Sequence, residues 1–175
     1  PESVIKEITE IAKSGIKEVV ITGIHVASYG KDFKEEYRLI DLLEEINKIE
    51  GIERIRLGSI EPLLITEEFM ERLIKLEKIC HHFHLSLQSG CTDTLKRMNR
   101  KYSIEDFQEV VQRLRNAFSD VDLTTDIIVG FPGETEKDFL DTMDVVEKTR
   151  FDQIYMFCYS IRRGTRAEKM KNQID

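Results

Sequence analysis

Five short apolar runs in this chain end in the same kinds of residue. The endings are Thr22-Gly23, Ser59-x-Glu61-Pro62, Gln88-Ser89-Gly90, Gly130-Phe131-Pro132-Gly133-Glu134 and Tyr159-Ser160-x-Arg162-x-Gly164-Thr165. Each joins small residues, which let a ligand approach the backbone, to one or two polar groups. Hydroxyls, an amide and carboxylates suit a ligand with a sugar, an amine and a heterocycle. No nucleophile–base pair stands out: there is no Gly-x-Ser-x-Gly elbow and no P-loop lysine. Such residues hold a cofactor and leave the hard chemistry to it.

The fourth ending belongs to Thr125-Asp126-Ile127-Ile128-Val129-Gly130-Phe131-Pro132-Gly133-Glu134-Thr135. This reads as a buried strand, a Gly/Pro turn, and a helix opened by Thr135 with Asp138 three residues on, a capping-box pattern. A strand that turns into a helix N-terminus aims several backbone N–H groups at one spot. That spot suits a phosphate, a carboxylate or a nucleobase edge. A plain βα turn is the competing reading.

The elements that carry these endings follow from periodicity. Helices are expected over 3–13, 38–49, 66–79, 92–98, 103–118 and 135–149, with Ser103 and Asp106 forming a second capping box. Strands are expected over 18–22, 54–57, 83–87, 153–159 and the run into Gly130. The order is one helix, four βα units, then a final strand with a tail, which predicts a parallel sheet with helices outside it. An open doubly wound sheet and a barrel compete. No Gly-x-Gly-x-x-Gly turn supports the first. Strand faces favour the second: His84, Ser86 and Gln88 share one face, Asp122, Thr124 and Asp126 another, and Arg54 and Arg56 alternate with Ile55 and Leu57. Beneath helices those groups would be costly, whereas a barrel lumen can hold water or a polar ligand.

The 175 residues are enough for one domain, and 41% are hydrophobic, enough for a sizeable core. No apolar run approaches a membrane span of about 20 residues. The net charge of −7 gives no overall basic field, so nucleic-acid contact falls to local groups such as Lys96-Arg97, Arg100-Lys101, Arg162-Arg163 and Arg166. A solvated helix face is the plain alternative for them. The three cysteines, Cys80, Cys91 and Cys158, are too sparse for a secreted disulfide framework, and a cytoplasmic location is expected. Cys80-His81-His82-x-His84 lacks a second pair with structural-zinc spacing and reads as a loop entering a strand. Cys91 and Cys158 read as packing residues.

Taken together, the motifs resemble the radical S-adenosylmethionine (SAM) methylthiotransferases. The residues that carry this are Thr22-Gly23-Ile24-His25 through Tyr29-Gly30, Arg56-Leu57-Gly58-Ser59-Ile60-Glu61-Pro62, and His82 through Cys91. They continue with Leu95-Lys96-Arg97-Met98-Asn99-Arg100-Lys101-Tyr102, Thr125-Asp126 through Thr135, and Tyr159 through Ala167. Gly58-Ser59-Ile60-Glu61-Pro62 and Leu85 through Cys91 look most like the branch that modifies threonylcarbamoyladenosine at position 37 of tRNA. The branches acting on isopentenyladenosine or on a ribosomal protein, and an inert scaffold, are the alternatives.

The resemblance implies a partial (β/α)6 barrel of the radical SAM core, here lacking its first strand and cluster loop, with 1–175 as one partial core domain. By resemblance, Thr22 and Gly23 hold the methionine amino group, Ser86 and Gln88 contact the ribose, and Gly130, Phe131, Gly133 and Glu134 lie against the adenine. Ser59 and Glu61 edge the pocket, and Asp126, Ser160 and Arg162 complete the expected cofactor set. The implied cofactors are SAM and two four-iron four-sulfur clusters, and the implied partner is the anticodon loop of tRNA. The family's Cys-x3-Cys-x2-Cys motif does not occur in this sequence, and Pro1-Glu2-Ser3 looks like the segment just after it. The chain by itself is therefore expected to be unable to cleave SAM reductively.

Overall fold

The computed structural model describes residues 1–174. Helix α1 (Glu2–Lys13) precedes strand β1 (Glu18–Ile21). Helix α2 (Leu39–Asn47) leads to β2 (Arg54–Leu57), β3 (Ser59–Ile60) and α3 (Glu67–Leu73). Then come β4 (His82–Gln88), α4 (Thr92–Arg97), α5 (Ile104–Ala117), β5 (Asp122–Val129), α6 (Glu136–Thr149) and β6 (Gln153–Cys158).

All strand pairs are parallel. They form a two-stranded sheet, β1-β2, and a four-stranded sheet, β3-β4-β5-β6. The order follows the chain without the reversal that marks a doubly wound sheet. The chain run 54–60 belongs to both sheets. It is interrupted at Gly58, whose N–H donates to the Ile21 carbonyl at 2.9 Å. Ser59 and Ile60, expected as loop, thus extend the run to pair with His84 and Leu85.

Helices also touch in sequence, α1 with α2, α2 with α3, and α3 with α5. One apolar core joins Leu43 and Ile46 of α2, Leu73 of α3 and Phe107 and Leu114 of α5 to Ile55, Phe83, Leu85, Leu87 and Leu123 of the strands. The odd residues of β4 face the helices and are fully buried, while His84 and Ser86 on the other face are only half-buried. The expected alternation is present: the helices cover one face, and the polar residues share the other.

Local chemistry sets most boundaries. Ser103 and Asp106 bond each other's backbone N–H, and so do Thr135 and Asp138, which closes the first turns of α5 and α6. Helix α3 stops six residues before its expected end at 79. Leu76 and Ile79 keep a helical spacing and are buried, yet sheet pairing captures the segment. The Lys78 carbonyl accepts from Ile55 N–H at 2.7 Å, and Cys80 N–H donates to the Ile55 carbonyl at 2.9 Å. Asn47 caps Lys78 N–H at 3.1 Å. Among the described residues, no helix is long and apolar enough to cross a membrane.

Candidate cofactor site at the strand ends

The polar face begins at the lower edge with Glu18, which accepts from Arg54 Nε at 2.6 Å and Arg56 Nε at 3.0 Å. These two guanidinium groups hold its carboxyl below the usual carboxylate range. Next, His84 bridges two residues of the neighbouring strand. Its Nδ1 lies 3.0 Å from Thr124 Oγ1 and its Nε2 lies 3.0 Å from Asp126 Oδ2. The Tyr155 ring of β6 lies 5.9 Å from the His84 ring. Asp126 is therefore held by an imidazole on the polar face. His82 sits below, with Nδ1 buried and without a partner. Burial, and then the nearby Arg56 charge, pull its pKa below the ordinary imidazole value.

Higher on the same face, Ser59 Oγ and Ser86 Oγ share a hydrogen bond of 2.6 Å, as their strands pair side by side. Thr22 and Gly23 are exposed just past the end of β1. Glu61 Oε1 lies 3.5 Å from His25 Nδ1, tying the chain after β3 to the loop after β1. That loop carries an aromatic group the sequence reading did not single out: Tyr29 meets Phe33 edge-on at 5.5 Å and Tyr37 at 6.4 Å.

Gln88 leaves the face it was expected to share with Ser86. The register of β4 on β5 shifts between Leu85 and Gln88, and Gln88 takes a left-handed φ of 69°. Such a bulge redirects the next side chain. Thr125 repairs the broken ladder, since its hydroxyl donates to the Leu85 carbonyl at 2.6 Å and accepts from Leu87 N–H at 3.2 Å. Tyr102 donates to the Leu87 carbonyl at 3.1 Å. Burial pushes the Tyr102 phenol up to about 12, so it stays a donor at neutral pH. Gln88 is 8% exposed and lines a rim cavity with Phe131 instead. Gly90 serves packing rather than ligand approach: a Cβ there would lie 2.5 Å from Thr142 Cα of α6.

The turn after β5 also differs from expectation. Its N–H groups do not converge on an empty spot. Gly130 N–H bonds the Glu134 carboxylate, Gly133 N–H donates to the Asn172 carbonyl at 2.9 Å, and Glu134 N–H donates to the Phe131 carbonyl at 2.8 Å. Thr135 and Asp138 N–H groups are used in the capping box. The turn is not an anion cradle. It offers a closed backbone surface, with open space beside Gly130 and Phe131 packed edge-on against Tyr159 at 5.3 Å.

Ser160 and Arg162 lie on the exposed segment after β6, and the Arg162 carbonyl accepts from the Thr165 hydroxyl at 2.8 Å. No described hydrogen bond or ion pair joins either side chain to the other site residues. Among the cysteines, Cys91 is buried and donates to Asp138 Oδ1 at 3.3 Å. Cys158 is exposed, against the expectation of a packing residue. Arg97 already occupies the other Asp138 oxygen at 2.9 Å, so the carboxylate nearest Cys91 is neutralised by a cation of the protein's own.

The donor set fits a nucleoside with an amino-acid tail. A hydroxyl pair at Ser59 and Ser86 matches a ribose, the Glu61 carboxylate and the carbonyls past β1 can accept from an ammonium, and the open side of Gly130 admits a flat base.

The family model of the radical SAM superfamily matches residues 1–146. A tRNA-2-methylthio-N(6)-dimethylallyladenosine synthase of Alkaliphilus oremlandii is 48% identical over 172 residues, covering 98% of this chain and 36% of that protein. The protein of the same name from Caldicellulosiruptor saccharolyticus is 49% identical over 174 residues, covering 99% of this chain and 37% of its own length. The chain thus spans little more than a third of these relatives. Their names carry dimethylallyladenosine, so the threonylcarbamoyladenosine branch expected from the sequence is not supported.

Among solved structures, the radical S-adenosylmethionine methyltransferase TsrM of Kitasatospora setae matches with a TM-score of 0.71 at 19% identity, over 90% of this chain and 30% of that one. Methylornithine synthase matches at 0.64 and 16% identity, over 96% of this chain and 48% of its own. These likenesses extend to the fold, and the matched sequence model covers most of the chain: the protein belongs to the radical SAM superfamily.

Proposed function

We propose that the chain is the central SAM-binding part of an enzyme that adds a methylthio group to carbon 2 of dimethylallyladenosine (isopentenyladenosine) in tRNA. The observation that carries this is the 48–49% identity, over nearly the whole chain, to synthases of that name. On this reading residues 1–175 are part of a (β/α)6 core, the substrate adenosine sits at position 37 of the anticodon loop, and the enzyme works in the cytoplasm. SAM bound beside a reduced four-iron four-sulfur cluster would supply the radical chemistry.

The chain's own residues bind and orient. Thr22 and Gly23 take the methionine ammonium, with Glu61 beside it. Ser59 and Ser86 hold the ribose diol. Gly130, Phe131, Gly133 and Glu134 form the surface for the adenine. The His84–Asp126 pair fixes the floor beneath. Gln88 acts from the rim, and Ser160 and Arg162 act from the segment after β6. The residues that hold the clusters are not among the three cysteines of this chain, which the fold keeps on separate elements.

Nucleoside mass spectrometry of tRNA from cells with the gene disrupted tests the reading. The 2-methylthio form of dimethylallyladenosine should vanish while dimethylallyladenosine itself accumulates. Loss of the 2-methylthio form of threonylcarbamoyladenosine instead, with the dimethylallyl pair unchanged, overturns the reading.

A further inference from the structure

Two basic stretches separated by more than sixty residues meet at one place. Lys96, Arg97 and Arg100, at and after the end of α4, line a cavity of about 490 Å³ together with Arg166 from the segment after β6. Gln88, redirected by the bulge in β4, and Phe131 of the turn after β5 form part of its wall. The cavity thus opens at the C-terminal rim of β4 and β5, beside the cofactor residues proposed above.

The four cations are not equivalent. Lys96 pairs with Asp93 at 3.1 Å and Arg97 with Asp138 at 2.9 Å. Both also stand in the last turn of α4, where cations complement the helix dipole. They have structural reasons to be there. Arg100 and Arg166 stand outside the helix, and neither pairs with a carboxylate among the described residues. Arg97 also keeps its Nε buried and without a partner, on the side where a Cβ at Gly133 would lie 3.7 Å away. In a chain of net charge −7, two guanidinium groups at one opening with no carboxylate partner among the described residues are a local reversal of sign. Planar, multi-donor forks of this kind match a tetrahedral oxyanion.

We propose that Arg100 and Arg166 form a binding site for a backbone phosphodiester of the RNA substrate. The site anchors the strand at the rim while the target base enters the polar face. It rests on the tRNA reading above. The carboxylate of the cofactor's methionine end is the other oxyanion within reach of the same chemistry, and the RNA phosphate is favoured because Arg166 lies on the exposed outer lip. Neither arginine is part of the set proposed to hold SAM.

The test uses the full-length protein and its Arg100→Gln/Arg166→Gln variant, with an anticodon stem-loop bearing dimethylallyladenosine as the probe. Fluorescence anisotropy over a salt series reads affinity and counterion release, and calorimetry with S-adenosylhomocysteine reads the cofactor site. The expected result is about tenfold weaker RNA binding at low salt. The salt slope should become shallower by about 0.7, the share of one single-strand phosphate, with cofactor-analogue affinity unchanged. The exposed single change Arg166→Gln should give a smaller loss in the same direction, and it serves if the double variant does not fold. Unchanged RNA affinity and slope overturn the proposal. So does a loss confined to S-adenosylhomocysteine, which assigns the arginines to the cofactor carboxylate. Failure of the unaltered protein to bind the stem-loop at all overturns the tRNA reading itself, and this site with it.

Discussion

Strands β4 and β6 belong to one parallel sheet, yet they live in different environments. In β4 the residues Phe83, Leu85 and Leu87 have no exposure at all, being enclosed in the apolar core shared with the helices. In β6 the residues Tyr155, Met156 and Phe157 are 44%, 71% and 54% exposed. The difference lies in the neighbours: β4 runs between β3 and β5 and packs into the shared core, whereas β6 ends the sheet order and pairs with β5 alone among the described strands. Backbone pairing holds a strand in register, but covering side chains supply most of the stabilisation. The molecule should therefore respond to core substitutions in its middle and ignore them at its β6 edge.

The sharpest break of that contrast is a pair of truncations. Leu85→Ala should cost about 2–5 kcal/mol, whereas Met156→Ala should change stability by less than about 0.5 kcal/mol. Urea midpoints at constant m-value check both, and equal losses would show that β6 is covered in solution.

A smaller effect separates the bulged end of β4 from its regular start. Thr125→Val keeps the shape but removes the hydroxyl that serves both Leu85 and Leu87. It should cost about 1–3 kcal/mol, because the Leu87 N–H is left buried and unpaired. Hydrogen exchange should speed up at Leu87 well before it does at Phe83.

The smallest effect is one of pH. His82 titrates below the ordinary imidazole value in the folded chain. As pH falls past about 6.5, the unfolded chain takes up the proton first, so stability drops. The His82→Gln variant should show a shallower loss between about pH 7.5 and 5 than the unaltered protein, read from urea midpoints. An identical slope would place the pH dependence elsewhere.

What could be read from the sequence was local. The capping boxes at Ser103 and Thr135 need only residues three apart, and both form. The alternation of β4 and β5 separates the helix-facing residues from the polar ones, and the His84–Asp126 contact joins two residues already assigned to such a face. What could not be read depended on partners distant in sequence. The end of α3 is set by Ile55 and Asn47, although Leu76 and Ile79 continue the helical pattern. The turn of Gln88 out of the polar face depends on Thr125 and Tyr102. The satisfied N–H of Gly133 depends on Asn172. The rim cavity was half visible, because both basic stretches stood out, but only the fold brings Arg166 across to Arg100.

The closed turn after β5 has one more consequence. With Gly130 already bonded to Glu134, and Gly133 already bonded to Asn172, this segment is ordered by its own contacts rather than by a guest. Its conformational entropy was lost during folding, so none is charged to association. A base laid on this surface meets a preorganised platform. On the proposed reading selectivity there would come from shape and stacking on a rigid backbone, and a ligand that needs the turn to open must first break bonds the protein has made with itself.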